Sequence, residues 1–266
     1  MAQIKLFHPE TYPKTVETIR EKMQSLPDEV RNELYSTEFL SDYTSAAMWN
    51  IESPFGKLHQ ELMCVLEPHE IVAYHNTRLP NKQSVESQGL IFSDDRYTDM
   101  LQATLQVAGI SQSLINEIMG VVVDERERWE FGDCNGRKNE VCFIYDMDYY
   151  KVYDKFLAVY GGEFMEYGLS AHTENRSLSE YRDIIKIGHP YIVELAIPFN
   201  WMQQFEKQDV ARFIMEEWIH LDIKKDEVAH QYDGRIEHEI PADKIIEIHE
   251  VEDSFPEMDG WLFRED

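Results

Sequence analysis

Apolar residues in the first quarter of the chain recur at helical spacing. Val16, Ile19 and Met23 follow one another at intervals of three and four residues, which places them on one face of an α-helix. Three further helical runs follow, beginning at Asp28 and covering Glu38–Trp49 and Lys57–Leu66, the last after a break at Pro54 and Gly56. The pattern therefore predicts an N-terminal helical appendage over residues 1–67.

From residue 68 onward, short apolar or alternating runs indicate strands separated by helices. The predicted strands are Ile71–His75, Glu140–Asp146, Tyr191–Ile197, Arg235–Ile240 and the segment IIEIHEV at residues 245–251. We expect the first of these strands to pair with the second. Helices followed by strands with intervening helices predict the α+β class, with a core over residues 68–266.

The first predicted strand ends in residues that can do chemistry. In the stretch Glu70–Leu90, EIVAYHNTRLPNKQSVESQGL, His75 is the last inward-facing position of the strand. Asn76, Thr77 and Arg78 follow it, before a polar break and a short helical segment. A small ligand could bind at this strand end. The alternative is a buried histidine held by Thr77 or by a backbone carbonyl.

This stretch resembles the first NAD-binding motif of the ADP-ribosyltransferase superfamily, in which a strand ending in His-x-Thr leads through a polar loop to a small helix closing on Gly-Leu. The resemblance implies a split β-sandwich core with NAD, the substrate, in the cleft between two sheets. It implies that His75 holds the adenosine ribose, with Asn76 and Thr77 beside it. Arg78 could neutralise the pyrophosphate, because a guanidinium donates to two oxygens at once, or it could be a surface arginine.

The resemblance also implies an aromatic residue on the second strand and a glutamate further along the chain. Tyr145 is the nearest match for the aromatic beside nicotinamide, and a core tyrosine is the competing interpretation. For the glutamate that bonds the nicotinamide ribose, Glu237 is preferred over Glu239, and Glu163 is a rival. A fixed carboxylate suits this role because cleavage of the nicotinamide–ribose bond develops positive charge on the sugar.

The charge balance restricts the partners of the protein. Its 51 acidic and 25 basic residues give a formal net charge of −26. A surface of this sign repels phosphate backbones and anionic membranes, although it leaves room for a local basic groove. It would suit a basic protein partner, and ordinary solubility explains it equally well.

Other features bear on compartment and cofactors. Cys64, Cys134 and Cys142 are scattered and odd in number, which favours reduced thiols over disulfides. No apolar run approaches the roughly 18 residues of a membrane span, and the N-terminus lacks a secretory pattern, so we expect a cytoplasmic protein without membrane attachment. Histidines and carboxylates are not spaced as a metal-ligand motif, so no metal is predicted.

Together these features predict an NAD-dependent ADP-ribosyltransferase that modifies a protein or nucleic-acid acceptor, in the manner of a toxin or a defence factor. Two alternatives remain. An NAD glycohydrolase would use the same pocket without an acceptor, and a non-catalytic acidic interaction protein would retain the transferase fold in decayed form.

Overall fold

The computed structural model describes residues 1–31, 50–79, 82–92, 99, 102–103, 105–106, 109–120, 140–147, 189–223 and 233–250. Within them, helices are combined with a mostly antiparallel sheet, which confirms the α+β class. The split β-sandwich stays a prediction. None of the helices in this part of the chain is long and apolar enough to cross a membrane.

Six strands form the sheet in the described part of the chain. They are β1 (Gln3–Ile4), β2 (Glu70–Leu79), β3 (Val141–Ile144), β4 (His189–Pro198), β5 (Asp233–Ile236) and β6 (Ile245–Glu250). Their order is β5-β3-β2-β4-β6, and β1 pairs in parallel with the start of β2. The predicted pairing of the first two strands is confirmed, because β2 and β3 are antiparallel with Tyr74 opposite Ile144. β5 lies antiparallel on the other side of β3.

β2 is longer than the sequence pattern predicts. We expected the strand to end at His75, but it continues to Leu79. Residues 71–74 are all buried, so the strand is covered on both faces and its alternation does not mark an inside and an outside. In the sheet β2 lies between β3 and β4, and neighbouring strands allow a strand to continue beyond its apolar run.

The later strands agree with the prediction in position and differ in one boundary. β4 is the predicted central strand, and β6 is the predicted closing strand. β5, however, covers Asp233–Ile236 instead of Arg235–Ile240. The chain bends at residues 237–238, and Pro241, which cannot donate a ladder hydrogen bond, follows a single bridge residue at Ile240.

Four helices have described bounds: α1 (Lys14–Gln24), α2 (Pro54–Leu66), α3 (Gln83–Gln88) and α4 (Gln204–Ile223). α1 buries Val16, Ile19 and Met23, as their spacing predicts. α2 begins at Pro54, which we had expected to separate helices. A proline fits the first helical position because no backbone N–H is needed there, and the Ser53 hydroxyl accepts the N–H of Gly56 at 2.9 Å.

α4 is helical throughout Gln204–Ile223. The apolar pattern of Val210–Trp218 within it is compatible with either a helix or an edge strand, and the structure is helical there. α1 packs on α2, and α2 packs on α4. The helix predicted at Asp28 is present over residues 28–31, and the run Glu38–Trp49 lies outside the described residues.

The chain forms two compact units, each built from segments that are distant in sequence. The first contains residues 1–74, 140–149 and 195–240, and the second contains residues 75–139, 150–194 and 241–266. β2 and β4 contribute residues to both. The domain boundary at residues 67 and 68 stays a prediction. In the structure, α1 and α2 share the core of the first unit with α4, where the rings of Tyr12 and Trp218 meet edge to face at 6.3 Å.

Candidate functional site

The histidine motif occupies the second half of β2, within the second unit. His75, Asn76 and Thr77 are half-buried and directly follow four fully buried residues. The Asn76 Oδ1 atom is buried and has no hydrogen-bond donor among the described residues. An unsatisfied buried acceptor costs about 1–3 kcal/mol, so a donor brought by a ligand would be stabilising here. Arg78 follows on the same strand, and its side chain lies outside the described part of the structure.

Tyr145 lies in the core of the first unit. Its side chain is 2% exposed, and its ring packs edge-on against Phe143 at 5.3 Å and Phe213 at 6.0 Å. Burial raises the pKa of the Tyr145 hydroxyl well above its usual value, and nearby acidic side chains add to the effect. Its Oη atom has no hydrogen-bond partner among the residues that the structure describes. Packing in the core, the competing interpretation of this tyrosine, matches these contacts, and its role beside nicotinamide stays a prediction.

Gly234 on β5 makes room for the Tyr145 side chain. It lies opposite Phe143, and a Cβ atom at this position would be 2.6 Å from both Phe143 Cε2 and Tyr145 Oη. Both rings are buried and packed against each other. A side chain at this position would therefore displace the aromatic cluster.

We expect Gly234→Ala to lower the free energy of unfolding by about 2 kcal/mol, as overpacking in a tight core typically does. The measurement is urea unfolding at neutral pH. Gly120→Ala is the matched control, because Gly120 is helical and a Cβ there meets no atom within 4 Å. Equal stability of the two variants would contradict the close packing of Gly234.

The candidate glutamates lie just beyond β5. Glu237 is exposed in the bend that follows Ile236, and Glu239 is half-buried. Between them, the His238 ring lies 5.3 Å from the Trp201 ring in a tilted arrangement. Glu163 lies outside the described residues.

Three neighbouring strands carry the sequence-predicted residues. β2, β3 and β5 are consecutive in the sheet, with Tyr74 opposite Ile144 and Ile144 opposite Asp233. Adjacent strands are about 4.8 Å apart, so β5 lies about 10 Å from the first half of β2. His75 directly follows Tyr74 on β2. Tyr145 and Glu237 lie beyond opposite ends of the β3–β5 pair, because Ile144 is opposite Asp233 whereas Val141 is opposite Ile236. His75 belongs to the second unit, whereas Tyr145, Glu237 and Glu239 belong to the first.

Glu206 on α4 is an electrostatic feature that the sequence does not reveal. The residue is only 3% exposed, and its Oε1 atom accepts the backbone N–H of Arg235 at 3.2 Å. Burial raises the pKa of Glu206 from 4.5 to about 7, and the negative charges of Asp209 and Asp233 contribute to the increase. Acidic residues three positions apart are typical of a solvated helix face, so the sequence carries no signal of this burial.

Arg235 connects Glu206 to the start of β3. Its Nε atom lies 4.0 Å from Glu206 Oε1, and its Nη1 atom donates to Glu140 Oε2 at 3.3 Å. The guanidinium also lies over the Phe205 ring, 5.3 Å from its centre. Side chains from α4 and from Glu140, the residue before β3, therefore meet at Arg235, two residues before Glu237.

A second cluster, in the second unit, contains Glu194, Glu247 and His249. Glu194 is 6% exposed on β4, and its Oε2 atom lies 3.3 Å from His249 Nε2 on β6. The other ring nitrogen of His249 lies 3.8 Å from Glu247 Oε1. One ligand atom from each residue falls within 4.8 Å of the others, so these side chains are the described group that could hold a cation. The expectation that the protein binds no metal stays a prediction.

The geometry of the chain's own residues is the basis for inferring its function. No model of a known protein family, no curated protein and no solved structure matches this chain.

Proposed function

We propose that the protein is an ADP-ribosyltransferase that cleaves NAD and transfers ADP-ribose to a protein or nucleic-acid acceptor, on a split β-sandwich. The observation that carries the proposal is the polar end of β2, where the half-buried His75, Asn76 and Thr77 follow four buried residues and the buried Asn76 Oδ1 atom has no hydrogen-bond donor among the described residues. In the superfamily that Glu70–Leu90 resembles, a histidine, an aromatic residue and a glutamate serve one NAD site. In this chain the resemblance assigns those roles to His75 after Tyr74, to Tyr145 after Ile144 and to Glu237 after Ile236, the last residue of β5.

The residues after Tyr74 have the chemistry needed to bind the adenosine end of NAD. Asn76 Oδ1 is a buried acceptor that no described donor satisfies, and a ribose hydroxyl is a donor that could satisfy it. His75 and Thr77 offer further polar atoms on either side of Asn76 and are also half-buried. Arg78, the next residue on the strand, would pair with the pyrophosphate.

The proposed reaction breaks the bond between the nicotinamide nitrogen and C1′ of the ribose. The bonding electron pair leaves with nicotinamide, and the sugar becomes oxocarbenium-like. A carboxylate close to the sugar stabilises this positive charge, and the acceptor nucleophile then forms a bond to C1′ and releases its proton. Glu237 suits this role because it is exposed at a strand end, where an acceptor can reach it. Glu239 and Glu163 remain the alternatives.

The test is to incubate the purified protein with NAD that carries a label on its adenylate part, together with cell extract, and to measure label transfer and nicotinamide release. We expect the wild type to do both and His75→Ala to lower kcat/KM about tenfold or more, since each lost ligand hydrogen bond costs about 1–3 kcal/mol. His8→Ala, at an exposed histidine that pairs with Glu10, is the control and should match the wild type. The proposal would be refuted if none of the three proteins transferred the label or released nicotinamide.

The same experiment separates the transferase from an NAD glycohydrolase. Nicotinamide release that depends on His75 but labels no acceptor would assign the hydrolytic reaction. The two reactions share the cleavage step and differ in the nucleophile that attacks C1′, which is water in the hydrolase.

The charge of the protein favours a second candidate function, a non-catalytic protein that binds a basic partner. A formal net charge of −26 provides strong attraction for positively charged surfaces at low ionic strength. In that case, pull-down with the intact protein should capture a basic protein whose binding weakens steeply as salt rises from about 50 mM to 500 mM. Binding that is indifferent to salt would argue against this candidate.

A further inference from the structure

The contact between Glu206 and Arg235 lies at β5, the outermost strand of the sheet among the described residues. β5 is the last strand of the described order, and residue 235 opposes Cys142 on its paired side. The backbone N–H of Arg235 donates to the Glu206 side chain, 3.2 Å away on α4. The Glu206 carboxylate thus accepts a backbone N–H that points away from β3, a donor that would pair with a neighbouring strand elsewhere in a sheet.

This contact is close in sequence to the candidate catalytic carboxylate. Arg235 is the third residue of β5, and Glu237 comes two residues later in the bend. Only Ile236 separates Arg235 from Glu237, so movement of the Arg235 backbone also moves the bend. The Arg235 side chain is held in turn by Glu140 and lies over the Phe205 ring.

The charges around Glu206 come from each element packed against it. Asp209 lies on the same helix, Asp233 and Arg235 lie on β5, and the buried Tyr145 follows β3. Two negative groups and burial oppose ionisation of Glu206, whereas Arg235 favours it through both its backbone N–H and its guanidinium. The influences that oppose ionisation outweigh those that favour it, and the pKa of Glu206 is raised to about 7.

We propose that Glu206 is a positioning residue, whose ionised carboxylate holds the Arg235 backbone and thereby sets the position of Glu237 for the reaction. A carboxylate accepts a hydrogen bond roughly twice as strong as that accepted by a neutral group, so protonation of Glu206 loosens the end of β5. The inference rests on the proposed function for its catalytic consequence. Its structural part is independent of that function.

A simple stabilising hydrogen bond is the competing interpretation, and the two differ in what they predict for Glu237. A stabilising contact changes the free energy of unfolding and leaves the folded bend unchanged. A positioning contact makes the signals of Glu237 in the folded protein follow the ionisation of Glu206. The full-length, isotope-labelled protein can be followed by NMR between pH 5.5 and 8.5 to separate them.

In the wild type, we expect the Arg235 amide and the Glu237 signals to titrate together with a midpoint near pH 7, as Glu206 ionises. Protection of the Arg235 amide from exchange, corrected for intrinsic exchange, should rise about fivefold or more across the transition. This measurement needs no variant. Glu206→Gln should abolish the transition, and Asp209→Asn should shift it to lower pH because a neighbouring negative charge is removed.

Glu67→Gln is the control variant, because this more exposed carboxylate pairs with Lys207 on α4. It should titrate like the wild type. Unchanged Arg235 and Glu237 signals in Glu206→Gln would overturn the inference, as would a wild-type protein without a transition near pH 7.

The catalytic consequence is tested in parallel by nicotinamide release from NAD. Glu206→Gln should lower kcat about fivefold with KM changed less than about twofold, and kcat should lose the wild-type pH dependence around 7. A wild type that titrates as expected but does not cleave NAD would refute the proposed function while supporting the structural link. An active Glu206→Gln protein with the wild-type pH profile would overturn the positioning role alone.

Discussion

Glu237→Gln is expected to slow NAD cleavage about 100-fold, whereas Glu239→Gln should change it less than about threefold. Glutamine keeps the shape of the side chain and removes the charge that stabilises the positive sugar, and a single such group contributes about 100-fold to 1000-fold. Glu237 is exposed directly after β5, while Glu239 is half-buried and already engaged with other groups. The measurement is the initial rate of nicotinamide release at saturating NAD.

Binding of NAD provides the control for this comparison. If Glu237 acts on the transition state, Glu237→Gln should lower kcat and leave the dissociation constant for NAD within about threefold of the wild-type value. The reverse ranking of the two variants would assign the role to Glu239. If neither variant slows the reaction and Glu163→Gln does, Glu163 is the catalytic residue.

The sequence predicts well those elements whose type can be recognised from the local spacing of apolar residues alone. The buried face of α1 follows directly from the spacing of Val16, Ile19 and Met23. β4 and β6 were predicted from short runs bounded by proline or by polar residues. In α1 and β4 the apolar residues that define the pattern are buried, whereas the residues of β6 are half-buried or exposed, so there the run predicts the strand but not its burial.

The sequence predicts poorly those ends of strands and helices that depend on flanking strands or on a capping side chain. β2 continues past His75 because other strands flank it, although the apolar run has ended. β5 stops at Ile236 although the alternation continues, so Glu237 lies in a bend and not on a strand. Pro54 starts α2 because Ser53 caps the first turn, which a proline in isolation does not reveal.

In the candidate site, too, some features follow from the local sequence and others from the packing of distant segments. His75, Thr77 and the candidate glutamates are predicted from a short resemblance, because that resemblance depends only on residue types and their order along the chain. The burial of Glu206 could not be predicted in this way, because it depends on α4 packing against β5, which is separated from it along the chain. The core position of Tyr145 likewise depends on Gly234 leaving space on the opposite strand.

Glu206 should also give the protein an unusual dependence of stability on pH. Its pKa is raised to about 7 in the folded protein, compared with about 4.5 when the chain is unfolded. The folded state therefore holds this proton more tightly, and the contribution of Glu206 to stability is fully present below pH 4.5. This contribution is lost as the pH rises from 4.5 to 7, because the carboxyl of the unfolded chain ionises first and that of the folded chain ionises only near pH 7. The loss amounts to at most about 3 kcal/mol.

The prediction concerns a difference between two proteins, so that the titration of other groups cancels. The free energy of unfolding of Glu206→Gln, minus that of the wild type, should increase by up to about 3 kcal/mol between pH 5 and pH 8, because only the wild type must ionise a buried carboxyl. Urea unfolding at four pH values measures it. Glu67→Gln, whose carboxylate pairs with Lys207 at 2.7 Å near the surface, should show no such increase. A constant difference for Glu206→Gln would mean that Glu206 ionises with equal ease in the folded and unfolded chain, and Arg235 would then fully offset its burial.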